Sequence, residues 1–410
     1  MTASERMLAA FGAAAKNEHI DWTDPLSDEE WAEIFQLSSI HHVLPLVLEA
    51  VYGCPAIRNA DPRILHAYRV QSIRQVSVQN QKTTEVLTLY RRLTNAGIRP
   101  LVVKGIVCRN LYPLPDHRIS GDEDMLIAPG DYGKAKQVME EFGMHHEGDE
   151  NAYEVPFFKD GSALYIELHK SLFPPDSSAY GSLNNLFEDA RDRASTVTID
   201  GRQISTLSDT DHLLYLICHA FKHILHSGFG VRQICDVSLF ANARGQNIRW
   251  QEVLDKCRAI RAERFAGAML RIGQRYFGFD PEKACLPDSW RQIETDEQAL
   301  LEDALSSGVF GRSSGSRTHS SNITLNAVAA DKQGKKASGS VLRTIFPPAA
   351  QLEKQFPYLK GKTWLLPVAW ASRILKYGKE TASEQHNDAA ESIRIGKERV
   401  ALLRQYGIID

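Results

Sequence analysis

The 410-residue chain has no excess of positive charge: 48 Lys and Arg stand against 51 Asp and Glu, a formal net charge of −3. A dedicated nucleic-acid surface draws on a basic excess, so bulk DNA or RNA is not the expected partner. Cysteine is sparse too. The six cysteines are scattered, with no CxxC pair, which excludes a disulfide scaffold and reads as buried apolar thiols in a reducing compartment. No apolar run approaches the ~20 residues of a membrane span. The first residues lack the basic region and apolar stretch of a signal peptide. A soluble, cytoplasmic protein is therefore the expectation. No internal repeat is visible. What is present is ordinary: 43% hydrophobic and 24% charged residues, enough for a real core, at a length that allows two or three domains.

The first hundred residues read as helical. Ser27, Asp28, Glu29 and Glu30 have capping-box spacing, and a long apolar pattern runs from Pro62 to Leu93 before Gly97 ends it. Then the period changes. Leu101, Val102 and Val103 form a short apolar run, and Met125 to Ile127 a second. Residues 153–158 and 163–169 predict a hairpin through Asp160 and Gly161, and 196–199 with 203–206 predict another. Helices are predicted again at 208–221, 231–243, 250–259, 262–277 and 296–305, and near the end at 364–377 and 388–406. The stretch 311–340 is rich in Gly, Ser, Lys and Arg and predicts a flexible loop or linker. The division is helical 1–98, an α/β core 99–207, a helical 208–310, the linker 311–340 and a helical 341–410. The fold class is α+β, with a small mixed β-sheet flanked by N-terminal and C-terminal helical regions.

Chemistry concentrates around the two central strands. Asp122 and Asp124 are two residues apart and face the same way on an extended strand. Paired carboxylates repel, and hard oxygen ligands in this number favour magnesium. In 163–169, Leu164, Ile166 and Leu168 alternate with Glu167 and His169, so an aliphatic face belongs to a core and Glu167 points away from it. If the two strands are neighbours, three carboxylates converge and two magnesium ions can hold a triphosphate.

Leu101 to Gly105, Leu111-Tyr112-Pro113, Arg118 with Asp122-Glu123-Asp124, and Tyr165 to His169 together resemble the uncharacterised bacterial nucleotidyltransferase family of the polymerase-β-like superfamily. The likeness extends through His219 to Asp236 and to 342–376. It implies a nucleotidyltransferase core that moves a nucleoside monophosphate from a nucleoside triphosphate to an acceptor and releases pyrophosphate. In that pattern Asp122, Asp124 and Glu167 are the catalytic, magnesium-binding carboxylates. Lys104 and Arg118 bind the triphosphate, and Gly105 lets the backbone approach phosphates at a helix start. The sequence departs from the pattern at two places. The wider superfamily has Gly-Ser or Gly-Gly at Lys104-Gly105, and Glu123 replaces an aliphatic residue, either facing water at a sheet edge or perturbing the metal site.

His219 and His223 lie one helical turn apart, near Lys222, His226, Arg232 and Asp236. The spacing is zinc-compatible, but no HExxH glutamate is present. Packing of a buried helix is the plain reading. His169, His219, Lys222, His223, Arg232 and Asp236 are otherwise candidates for substrate or nucleotide contacts. Besides the magnesium-dependent transferase, two readings stay open: a catalytically silent nucleotide-binding adaptor, and a metal hydrolase built on the histidines. The acceptor, whether small molecule, peptide or protein, is not encoded in any motif.

Overall fold

In a computed structural model the protein is α+β, and residues 1–226, 228–308, 315–334, 349–352, 356–372 and 389–410 are described. Helices α1 (Ala3–Ala15), α2 (Asp28–Ile40) and α3 (Leu44–Val51) come first. Ser27 caps α2 with Glu30 in a true capping box, each side chain taking the other's backbone N–H. Asp61 caps α4 (Pro62–Asn95), a helix of 34 residues and ~50 Å. No helix among the described residues is long and apolar enough to cross a membrane.

A five-stranded mixed sheet follows, in the order β1-β2-β5-β4-β3. Its strands are β1 (Leu101–Val103), β2 (Glu123–Leu126), β3 (Met144–His146), β4 (Glu154–Lys159) and β5 (Tyr165–His169). Strand β2 pairs antiparallel with β1 and parallel with β5, opposing Asp124 to Glu167 and Leu126 to His169. The short helix α5 (Gly105–Arg109) leaves β1 at once, and α6 (Tyr132–Glu141) separates β2 from β3. Strands β6 (Ser195–Ile199) and β7 (Arg202–Thr206) make a separate hairpin. Its turn places Asp200 and Gly201 at φ +46° and +73°, the two positive values of the hairpin turn that follows strand twist.

Beyond the hairpin lie α7 (Asp209–His226), α8 (Val231–Arg244), α9 (Trp250–Ala259), α10 (Glu263–Tyr276), α11 (Asp288–Arg291) and α12 (Glu297–Ser307). Leu213, Leu214, Ile217, Cys218 and Phe221 bury α7 almost all round, which marks it as a core helix. The N-terminal helices and the helices after β7 share one apolar core, from Met7 and Phe11 to Phe265 and Ile409. A second core backs the sheet with Val102, Met125, Phe157, Ile166 and Leu168.

One expectation needs correcting. Within 311–340, where composition predicts a loop, Gly315–Lys332 forms helix α13. Ile323, Ala327 and Val328 are buried along one side of it, and tertiary packing of such a stripe outweighs weak propensity. The rest of that stretch lies outside the described residues except 333–334, as does 373–377 of the segment expected to be helical at 364–377.

Candidate active site

The site grows from the turn between β1 and α5. Lys104 ends the strand at φ +60°, ψ −132°, and its backbone N–H donates to His212 Nε2 (3.2 Å). Thr206 Oγ spends its proton on the Val102 carbonyl (2.6 Å) and lies 3.1 Å from His212 Nδ1. His212 therefore donates through Nδ1 and accepts through Nε2. That neutral tautomer agrees with burial pushing its pKa down to about 3.

Strand β2 presents opposite chemistry on its two faces. Glu123 points inward, away from Asp122 and Asp124. It accepts Ile106 N–H on Oε2 (2.7 Å), and Ser120 Oγ (2.9 Å) and Arg109 Nη1 (2.5 Å) on Oε1, with Lys82 Nζ at 3.9 Å. Burial opposes its ionisation, yet Arg109 and Lys82 outweigh burial and hold its pKa below the usual carboxylate value. Glu123 thus neither faces water nor enters the acidic cluster. The same carboxylate corrects the expected role of Gly105. A Cβ there would meet Glu123 Oε2 at 2.0 Å, so glycine is required by a carboxylate that already caps α5, and the Ile106 amide is spent on Glu123 rather than open to phosphate.

The other face gathers Asp122, Asp124, Glu167 and His169 around Lys104. Lys104 Nζ is 2.7 Å from Asp124 Oδ2 and 3.7 Å from Asp122 Oδ2. His169 Nε2 is 3.0 Å from Asp124 Oδ1 and 3.6 Å from Glu167 Oε2. Asp124 is fully buried, whereas Asp122 and Glu167 keep side-chain exposures of 20% and 21%. Burial opposes the charge of Asp124, but Lys104 and His169 overcome it and depress its pKa. Glu167 moves the other way: burial raises it to about 7, and Asp124 and Asp122 add to the rise. His169 is raised to about 9, because Asp124 and Glu167 outweigh burial. Among the described residues, Asp124, Glu167 and His169 are the group whose ligand atoms all lie within 4.8 Å of one another. Two carboxylates and an imidazole at that spacing fit a divalent cation.

Arg118 is not open to a triphosphate. Its guanidinium grips Asp236 through two bonds of 2.7 and 2.5 Å, joined by Tyr112 OH on the same carboxylate (2.8 Å), while its third nitrogen is buried without a partner. Arg232 donates to the Ile119 carbonyl. From the other side, Gln79 accepts Ser120 N–H (2.9 Å) and Lys82 donates to the carbonyls of Ser120 (3.1 Å) and Gly121 (2.7 Å). Helices α8 and α4 thus clamp the segment that delivers Asp122. Gln79, Lys82 and Arg109 are contributors that sequence reasoning missed. The usable signal was a charged residue, Glu123, on the core side of a strand, which demands buried cationic partners.

Helix α7 closes the site. His219 Nε2 accepts from Lys104 Nζ (3.4 Å) and neighbours His223 Nε2 (3.3 Å), while Gln233 meets His219 Nδ1 (3.2 Å). Burial and then the nearby cations hold both histidines well below the usual imidazole pKa. They belong to no metal-compatible group among the described residues, contrary to the zinc spacing. Lys222, half-buried on the same helix, has its pKa lowered by burial and lies within electrostatic reach of Glu154, Lys104, Asp124 and Glu167.

No curated protein matches the chain. Among solved structures, it is similar to an antigenic nucleotidyltransferase-like protein from Paracoccidioides brasiliensis, at 15% identity and a TM-score of 0.30, over 54% of this chain and 96% of that one. Residues 27–278, more than half of the sequence, match the family described as uncharacterised nucleotidyltransferase. The match spans every group of the acidic cluster and both clamps. This chain belongs to the uncharacterised nucleotidyltransferase family.

Proposed function

We propose that the protein transfers a nucleoside monophosphate from a nucleoside triphosphate to an acceptor hydroxyl or phosphate, with magnesium or a similar divalent cation, releasing pyrophosphate. The observation that carries this reading is the register of β2 on β5, which sets Asp124 opposite Glu167 with Lys104 between Asp122 and Asp124. Asp124 and Glu167 would hold the cation, with Asp122 beside them. A bound cation would neutralise phosphate charge and make an acceptor oxygen easier to deprotonate.

The chain's own residues supply the rest. Lys104 and Lys222 bring positive charge to the side where a triphosphate must sit, and stabilise negative charge growing on the leaving pyrophosphate. With the α5 amide closed by Glu123, side-chain ammonium groups carry this work rather than a helix start. Glu167, partly exposed at the edge of the cluster, is placed to take the proton from an acceptor oxygen. Arg118, Asp236 and Arg232 act from behind, by fixing the segment before β2. The silent-adaptor reading rested on Glu123, which is turned to the opposite face.

Labelled nucleoside triphosphates, magnesium and pooled small-molecule, peptide and protein acceptors test the proposal. Pyrophosphate release by the natural chain, abolished in Asp124→Asn, is expected. Turnover that survives Asp124→Asn removes the assignment.

A further inference from the structure

The ligand atoms that converge between β2 and β5 are those of Asp124, Glu167 and His169. His169 follows Glu167 by two positions on β5 and shares its face. The parallel register sets it one step beyond the Asp124–Glu167 pair. Its ring is buried, and its Nδ1 lies 3.3 Å from the Ser171 carbonyl, which can only accept. Nδ1–H is therefore committed to the backbone, and Nε2 is aimed at Asp124 Oδ1 and Glu167 Oε2. An imidazole held at one nitrogen by a carbonyl, with its second nitrogen among carboxylates, is oriented as metal-binding histidines are. Asp122 stands apart: it pairs with Lys104, which sits on the other oxygen of Asp124. Asp124 Oδ1 is thereby left to the Glu167 and His169 side.

We propose that Asp124, Glu167 and His169 form a mixed oxygen–nitrogen site that selects a transition-metal dication, of the Mn2+ or Fe2+ kind, over Mg2+. The proposal rests on the reading of Asp124 and Glu167 as cation ligands and adds the third ligand and the selectivity. The chemistry is direct. Mg2+ is a hard ion that holds its waters and takes oxygen ligands, whereas an imidazole nitrogen adds affinity for first-row transition metals. In the absence of such an ion, a proton on Nε2 bridges to the carboxylates in its place.

The full chain, with Mn2+ alone as probe and Mg2+ as competitor, tests this without any turnover. Electron spin-echo spectroscopy of bound Mn2+ should show coupling to a directly ligated imidazole nitrogen, altered when histidine is labelled with 15N. Mn2+ should bind at least ~10-fold more tightly than Mg2+, the scale on which a single group at a metal site counts. His169→Gln should lose the nitrogen coupling and most of that preference, and Asp124→Asn should weaken both ions. Because the spectrum is read on the unaltered protein, a variant that fails to fold does not rescue the idea. If Mn2+ binds through Asp124 with no nitrogen coupling and no preference over Mg2+, the histidine assignment falls alone. If neither ion binds, or binding ignores Asp124→Asn, the carboxylate reading falls with it.

Discussion

The two faces of β2 hold similar ingredients to opposite ends. On the inner face, Glu123 is buried with two cations, a hydroxyl and a backbone amide, so each oxygen has a partner. On the outer face, Asp122, Asp124 and Glu167 crowd around Lys104 and His169, and two of the three carboxylates stay partly exposed. Burial would raise both carboxyl pKa values, but Arg109 and Lys82 overcome it at Glu123, whereas Asp124 and Asp122 add to it at Glu167. A closed ionic cluster holds structure. A crowded, open one has capacity left for a ligand, which is the distinction between a buried salt bridge and a functional site.

The sharpest way to break this comparison is to remove the inner acid. Glu123→Leu should cost ~3–5 kcal/mol in urea unfolding, because Arg109 and Lys82 are left buried without their counter-charge. Pairing it with Arg109→Leu should return much of the loss, since exchanging a whole buried pair for apolar groups is close to neutral. If Glu123→Leu is as stable as the natural chain, the inner cluster is not structural. On the outer face, Glu167→Gln should leave urea stability intact while transfer falls ~10²-fold, the low end for losing a general base. A single-turnover assay beside an unfolding curve separates the two.

A smaller effect comes from the wall behind Lys104. His212 is held neutral, with a folded pKa of about 3 against an unfolded value of 6.5. The unfolded chain therefore takes up the proton first as pH drops. Its contribution is whole above pH 6.5 and declines as pH falls towards 3, so the urea midpoint should slide over that window. His212→Asn should flatten the slide, and an unchanged slope would show that other groups govern acid sensitivity. Least affected should be the stability of Asp122→Asn. Its partly exposed pair with Lys104 at 3.7 Å is of the kind worth ~1 kcal/mol or less, and a larger loss in thermal unfolding would place Asp122 with the inner cluster.

Much of the sheet was legible because alternation and turn chemistry are local. The 153–169 hairpin and the Asp200-Gly201 turn follow from a few adjacent residues each. Strand β3, three residues long at the sheet edge, is too short to show a period. Glu123 was expected at a water-facing edge or beside the metal, because nothing local shows who receives it: Arg109 and Lys82 come from two separate helices. Arg118 illustrates the same limit. The family likeness implies a phosphate ligand at Arg118, whereas the residue it grips, Asp236, is 118 residues away. Helix α13 was hidden by its serines and threonines. Several of them are buried and bonded instead, Thr324 to the His226 carbonyl among them.

The backbone at Lys104 carries a consequence for mutational tolerance. Its φ of +60° is a conformation that glycine adopts freely and that costs other residues ~1–3 kcal/mol. Its side chain, meanwhile, is the ammonium that offsets Asp124. The position thus demands two residues at once: glycine for the main chain and lysine for the charge. A neutral third residue inherits the backbone penalty and leaves a buried carboxylate without its ammonium, arginine keeps the penalty and changes the shape of the cation, and glycine relieves only the backbone. Saturation of codon 104 should find no neutral replacement, glycine included.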